Sequence, residues 1–391
     1  MSGRVFLVAA ESSGDALGAD LARVLKARDA SLTFDGVGGP QMAGLGIPSK
    51  IDIKGLAILG FLDGLRAFER VKLAVAQTVL AILACKPDVV VLIDSWGFTL
   101  RVAQGVRAAA PHIKLVKYVG PQVWATRPGR AKTLAATVDH LICLMERETL
   151  YYEPYGLPCT VCGHPALGRF KQGDAAAFRT RHAFAADERV VLVLPGSRPA
   201  EIRRIGPTLW AAASELVKAR PKLRLVVVVA DAVRAAVLAQ TPADALVVEE
   251  SEKDAAFAAA TVALAASGTV TTEVALQGAP LVIGYKLGWV TWAVARIFLF
   301  KGKFATLMNV AADEEVAPEL LQTKFTAANL VTVAGRLLDE EPARQSQIAK
   351  QNHALDLMGR GSRPAAEIAA DVVQAIMKNG GAVASAATSQ A

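Results

Sequence analysis

Short apolar runs alternate with segments of helical period along nearly the whole chain. Val5 to Ala10, Leu32 to Val37, Asp88 to Asp94 and Lys114 to Val119 are rich in apolar and β-branched residues, as strands covered on both faces are. Turns containing Gly, Ser, Asp or Pro follow them. The second half repeats the arrangement, with strands starting near Val190, Leu223, Ala245, Val262 and Pro280, and from Phe325 the period is helical with a break at Gly361. This alternation predicts an α/β fold with doubly wound, Rossmann-like parallel sheets, whose ligands gather at the carboxyl ends of the strands. The polar, Ala-rich stretch Gln172 to Asp187 carries the chain from one half to the other. The expected divisions are 1–170 and 171–345 for two domains, 346–378 for C-terminal helices packing back toward the first domain, and 379–391 for a disordered tail.

Several turns carry polar groups suited to a ligand. In VVLVLPGSRPAEI, residues 190–202, Gly196 lets backbone N–H groups approach an anion, Ser197 adds a hydroxyl, Arg198 adds a fork of donors, and Glu201 opens a helix. An ordinary strand-to-helix turn with a surface arginine has the same spelling. A second turn, Ser267, Gly268 and Thr269, also precedes a helix, and Glu273 lies one helical turn beyond Thr269 on the same face. A carboxylate there can accept both hydrogen bonds of a ribose diol. Two such turns in one domain point to a nucleotide.

In the first half, Ser13, Gly14 and Asp15 belong to a turn after the first strand, although GxGxxG spacing is absent. Gly14 and Gly18 mark a close backbone approach, to a ligand or to a neighbouring strand. Asp94 ends a strand, where it can serve as a general base toward a hydroxyl or cap a helix. Gln122 sits in the turn after the next strand, and the basic stretch Arg127, Arg130 and Lys132 either lines an anion-facing cleft or is a solvated loop.

Composition narrows the partners. The 391 residues are 53% hydrophobic and 20% charged, with a net charge of +7, which favours an anionic partner. No transmembrane span or secretory signal is read, and four cysteines suit a reducing cytoplasm. The spacing of Cys159, Cys162 and His164 is an incomplete metal pattern, so no metal or other cofactor is expected. Apolar bulk and positive charge lie side by side in Ile53 to Leu73 and in Gly288 to Phe304, as on a membrane-facing segment or a core-covering helix with a basic outer face. Nucleic acid is not expected, because the basic residues are scattered and no recognition module is present.

The collected motifs resemble the bacterial lipid A disaccharide synthases, glycosyltransferases of GT-B architecture. The resemblance runs through AESSGDALGA at 10–19, GVGGPQM at 36–42, the strand ending at Asp94, and YVGPQVWA at 118–125. It continues through YGLPCTVCGHP at 155–165, LPGSRPAEI at 194–202, ASGTVTTE at 266–273 and PELLQ at 318–322. It implies two Rossmann-like domains facing each other across a cleft. The implied reaction is an inverting transfer of 2,3-diacylglucosamine from its UDP form to 2,3-diacylglucosamine 1-phosphate, at the inner face of the bacterial inner membrane. It implies Asp94 as the essential acid, Arg198 on the diphosphate, Glu273 on the ribose, and Asn309 in an active-site loop; a homodimer is compatible with it. Trp96 and Gly97 stand where the family has Pro and a second Asp, Thr126 where a second Trp is common, and Met308 where Pro is usual. Two other readings share the architecture: a UDP-sugar 2-epimerase, and a non-catalytic nucleotide-sugar or lipid-binding relative.

Overall fold

The computed structural model describes residues 3–53, 61–124, 127–266, 268, 270–288 and 303–388; for 61–68, 232 and 379–388 only the backbone is described. These residues divide into two compact units, 3–165 with 361–388 and 166–288 with 303–360.

The first unit is built on six parallel strands: β1 (Arg4–Ala9), β2 (Thr33–Val37), β3 (Val89–Ile93), β4 (Lys114–Tyr118), β5 (His140–Cys143) and β6 (Cys159–Val161). They lie in the order β2-β1-β3-β4-β5-β6. β3 is buried at every position, and alternate residues feed opposite cores. Val90 and Leu92 join Phe98, Val102 and Val106 of the helix Trp96–Ala109. Val91 and Ile93 join Leu21 and Leu25 of the helix Ser12–Arg28. The C-terminal helix Ala365–Thr388 packs on this second face through Ala369, Ala370 and Val373, and Arg28 reaches it by a 2.7 Å bond to Asp371.

The second unit contains β7 (Arg189–Leu194), β8 (Leu223–Val229), β9 (Leu246–Glu249), β10 (Val262–Ala266), β11 (Leu281–Tyr285) and β12 (Glu319–Leu321), all parallel, in the order β12-β11-β10-β7-β8-β9. Its core too is split by the sheet. Val191 and Val193 pack on Ile202, Ile205 and Leu209 of the helix Pro199–Lys218, while Val190 and Leu192 face Val274 and Leu355.

Some elements differ from expectation. The helix Glu341–Leu357 stays with the second unit, because Gln347 donates to Leu281 O at 2.7 Å and Gln351 donates to Ala279 O at 2.9 Å while accepting from Leu281 N–H at 3.2 Å. Those amides satisfy backbone at the start of β11, so only the last helix belongs with the first unit. That helix is drawn to Thr388, into the stretch for which disorder is expected. β5 and β12, with four and three residues, are too short to show a period.

β4 carries an unusual core residue. Lys117 is 2% exposed, and its Nζ donates to the carbonyl of Asp94 and, at 2.7 Å, to Thr99 Oγ1. Burial pushes its pKa down to about 7, against a smaller upward pull from Asp94. In the unfolded chain the ammonium keeps its proton to the ordinary value of 10.5, so between about pH 7 and 10.5 the unfolded state binds more protons than the folded one. Unfolding free energy therefore rises with pH across that window, by up to about 1.4 kcal/mol per pH unit from this group, and the burial penalty is fully present below pH 7. Denaturant titrations from pH 6.5 to 9 should show this rise in the native chain and its loss in Lys117→Met. Equal pH slopes in the two proteins would contradict it.

Candidate functional site

In the second sheet, β7 and β10 are neighbours whose onward connections leave in opposite directions, to β8 on one side and β11 on the other. Such a switch point opens a crevice at the carboxyl ends of the strands. A cavity of about 350 Å³ lies there, within the ordinary range for a ligand pocket.

Its polar rim begins where β7 ends. Gly196 has φ +115°, a conformation that side chains disfavour, and a Cβ there would also collide with the Glu201 carboxylate. Arg198 occupies the N-cap of the helix Pro199–Lys218, with Pro at its first turn, and its own side chain makes no capping hydrogen bond. The helix dipole and a guanidinium thus converge on one turn.

Across the cavity, Gly268 is exposed with open space around it, and Glu273 projects from the helix Val270–Leu276. Its carboxylate is 2.7 Å from Lys253 Nζ, at the start of the helix Lys253–Ala259. Burial works to lower the lysine's pKa, but the bond to Glu273 holds it above its ordinary value. Val233, Val237 and Phe257 supply an apolar wall. An anion site, a polar pair and an apolar wall are what a nucleoside diphosphate requires. Ser267 and Thr269 lie outside the described residues. Lys253 was not singled out from the sequence, where it is one more charge in a polar ESEKD run.

Glu201 also lines the cavity, and its carboxylate is engaged within the turn. It accepts from Ser197 N–H at 3.2 Å and is hydrogen-bonded to the Tyr285 phenol, so it braces the turn. The phenol's pKa is raised, chiefly by burial and then by that carboxylate.

In the first sheet the switch point lies between β1 and β3, which pair through Ala9 and Ile93. Asp94 and Ser95 follow with φ +47° and +42°, and beyond β4 the β-branched Val119 has φ +65°. Left-handed backbone at such residues costs about 1 to 3 kcal/mol each and gathers at functional sites. Asp94 is held by its own N–H on Tyr118 O at 2.9 Å, and its carbonyl accepts from Lys117 and, at 2.7 Å, from Thr99. The backbone is fixed, whereas the half-buried side chain makes no hydrogen bond among the described residues. It caps no helix. Ser13 and Gln122 are exposed at neighbouring strand ends.

Other candidates are engaged within the fold. Asp15 is 1% exposed and accepts from the N–H groups of Gly39, Gln41 and Met42 at 2.8, 2.8 and 3.1 Å, so its carboxylate joins two helices. Gly14 is buried against Ala9 and Ile93, and a Cβ on Gly18 would lie 2.7 Å from Met42 Sδ, so close helix packing accounts for the second glycine. Asn309 is completely buried: its Nδ2 donates to Ala317 O at 2.8 Å and Glu319 at 2.9 Å, and its Oδ1 accepts from Val316 and Ala317 N–H at 2.9 Å. It positions the loop leading to β12 and has no group left for substrate. No group of three or more His, Cys, Asp or Glu among the described residues is arranged to hold a metal ion.

Residues 5–373 match the family model of the lipid-A-disaccharide synthetases. The chain is 40% identical over 375 residues to a lipid-A-disaccharide synthase of Rhodospirillum centenum, covering 94% of this chain and 93% of the relative. It is 38% identical over 383 residues to that of Paramagnetospirillum magneticum, covering 96% and 98%. Among solved structures, a UDP-GlcNAc 2-epimerase from Neisseria meningitidis bound to UDP-GlcNAc superposes with a TM-score of 0.61 at 13% identity, covering 96% of this chain and all of that one. The rhamnosyltransferase SpnG gives 0.53 at 16% identity, covering 93% and 98%. At such low identity these two speak for the fold alone, which is the GT-B glycosyltransferase fold. The near full-length matches settle the lineage: the chain belongs to the lipid-A-disaccharide synthases and is a glycosyltransferase.

Proposed function

We propose that the substrates are UDP-2,3-diacylglucosamine as donor and 2,3-diacylglucosamine 1-phosphate as acceptor. The second unit holds the donor's nucleotide: Gly196, Ser197 and Arg198 take the diphosphate, Glu273 with Lys253 takes the ribose, and the apolar wall takes the base. Asp94 accepts the proton of the acceptor's 6-hydroxyl as its oxygen bonds to C1 of the donor sugar. The C1–O bond to the diphosphate breaks with its electron pair on UDP, and C1 inverts to give a β-1,6 linkage. Arg198 and the helix N-terminus stabilise the charge that develops on the departing diphosphate. The observation that carries this reading is the switch-point cavity, with its glycine turn and arginine on one side and its Lys253–Glu273 pair on the other.

The lipid substrates call for a bilayer surface, and we read the helix Phe61–Cys85 as contributing to it. No helix among the described residues is long and apolar enough to cross a membrane. Lys72 is exposed on this helix, and Leu73 and Leu80, two turns apart, are 59% and 66% exposed. Residues 54–60 and 289–302, which hold much of the remaining basic and apolar sequence, lie outside the described residues.

Isothermal titration with UDP should show Arg198→Ala weakened by about 1.5 to 3 kcal/mol, the scale of a hydrogen bond to a charged group. Undiminished affinity would remove Arg198 from the diphosphate. Asp94→Asn should lower kcat about 10² to 10⁴-fold while UDP affinity stays within a few fold, as for loss of a general base; an active variant would exclude this carboxylate. Leu73→Ser with Leu80→Ser should reduce co-sedimentation with phosphatidylglycerol vesicles, and unaltered sedimentation would assign membrane contact elsewhere. Disaccharide and UDP formed from the two lipids in mixed micelles test the whole reading, and a wild-type protein that makes neither would end it.

A further inference from the structure

The first unit contains a second cavity, of about 360 Å³, lined by Trp96, Leu100, Arg101, Gln104, Arg127 and Arg130. Two elements build it: the helix Trp96–Ala109, and the turn that opens the helix Arg130–Ala135. Its three guanidiniums have no carboxylate partner among the described residues. Arg101 donates to the carbonyl of Gly97, one turn earlier on its own helix, and Arg130 lies over the Trp96 ring at 5.2 Å. Two other arginines of this unit are neutralised, Arg107 by Asp139 at 2.7 Å and Arg28 by Asp371 at 2.7 Å.

Arg101 and Arg127 reach solvent, and the cost of crowding these cations falls on Arg130. Arg130 is half-buried, and burial, followed by the like charge of Arg127, pulls its pKa below the ordinary value. Arg127 is itself held at φ +48°, in the left-handed region. A dianion accepting from several guanidiniums would relieve the repulsion and use their planar forks. The volume suits one phosphorylated sugar rather than a polymer, and Trp96 and Leu100 give it an apolar side. Trp96 also stands two residues after Asp94.

We infer that Arg101, Arg127 and Arg130 form a subsite for a phosphate monoester, and that its occupant is the anomeric phosphate of the acceptor sugar. The occupant's identity rests on the proposed function; the phosphate site itself rests on the cavity. A sugar 1-phosphate anchored there is gripped at one end, leaving its far hydroxyl to be directed toward the carboxylate. The acceptor is thereby selected by its charge.

Initial rates in mixed micelles test this with the phosphorylated acceptor, with the same lipid lacking its phosphate, and with the wild type, Arg130→Gln and Arg101→Gln. The expected result is an acceptor KM raised about tenfold or more in each variant, a donor KM within about twofold, and equal wild-type and variant rates on the dephosphorylated lipid. An unchanged acceptor KM would overturn the inference, and so would an equal loss on both acceptors, which would report structural damage. Loss of phosphatidylglycerol vesicle binding with an unaltered acceptor KM would assign the site to lipid headgroups instead. Titration with glucosamine 1-phosphate and with inorganic phosphate separates this inference from the functional reading. Wild-type binding of the sugar phosphate, lost in Arg130→Gln, supports the subsite even if no disaccharide is formed, whereas equal affinity in both proteins overturns it. Inorganic phosphate binding as tightly as the sugar phosphate would reduce the site to a free-phosphate site and overturn the assignment to the acceptor.

Discussion

The central strands of both sheets are buried on both faces, and this confines polar chemistry to their ends. β1 from Val5 onward, β3 and β10 have no position open to solvent. A functional side chain therefore has to sit in the turn after a strand. In a parallel sheet the useful turns are those beside a switch point, where adjacent connections diverge and leave a space unfilled. Asp94 follows β3 beside β1, and Gly196 follows β7 beside β10. The same constraint acting in two sheets sets the places of the candidate base and the candidate anion site.

Holding a carboxylate at such an edge without tying up its oxygens requires support from the backbone side. At Asp94 that support is Lys117, which crosses from β4 to bind the Asp94 carbonyl together with Thr99. The lysine is desolvated for this task, and the turn it holds is left-handed at two successive residues. Both features work against stability, so the fold spends part of its stability on orienting one turn. Asn309 plays a comparable part in the second unit, committing every polar atom of its amide to the chain around β12.

Much of the fold could be read from the sequence because uninterrupted runs such as VVLVL and LRLVVVV have few structural alternatives once glycine turns bound them. β5 and β12 could not be read, since three or four residues between loops carry no period. At the site, glycine turns were legible because their backbone demands are local. The partners of polar side chains were not. Asp15 and Glu201 have the right identity and spacing for ligand contact, yet backbone N–H groups 24 to 27 residues away claim the first, and Ser197 N–H with the Tyr285 phenol claims the second. Lys117 and Lys253 escaped notice for the converse reason. Nothing in KLVKY or ESEKD distinguishes a lysine that the tertiary structure buries or pairs from one that remains solvated.

Charge pairing separates arginines that serve the fold from those left for a ligand more sharply than their number does. Arg28, Arg107 and Arg220 each meet a carboxylate within 2.7 Å, and their charge is thereby used up internally. Arg198, Arg127 and Arg130 meet none among the described residues, although each borders a cavity at the carboxyl end of a parallel sheet. Arg198 and Arg127 are exposed, whereas Arg130 is half-buried over the Trp96 ring. The excess positive charge of the chain is therefore concentrated in part at two concave sites, one in each unit. That placement suits a reaction in which both donor and acceptor carry phosphate.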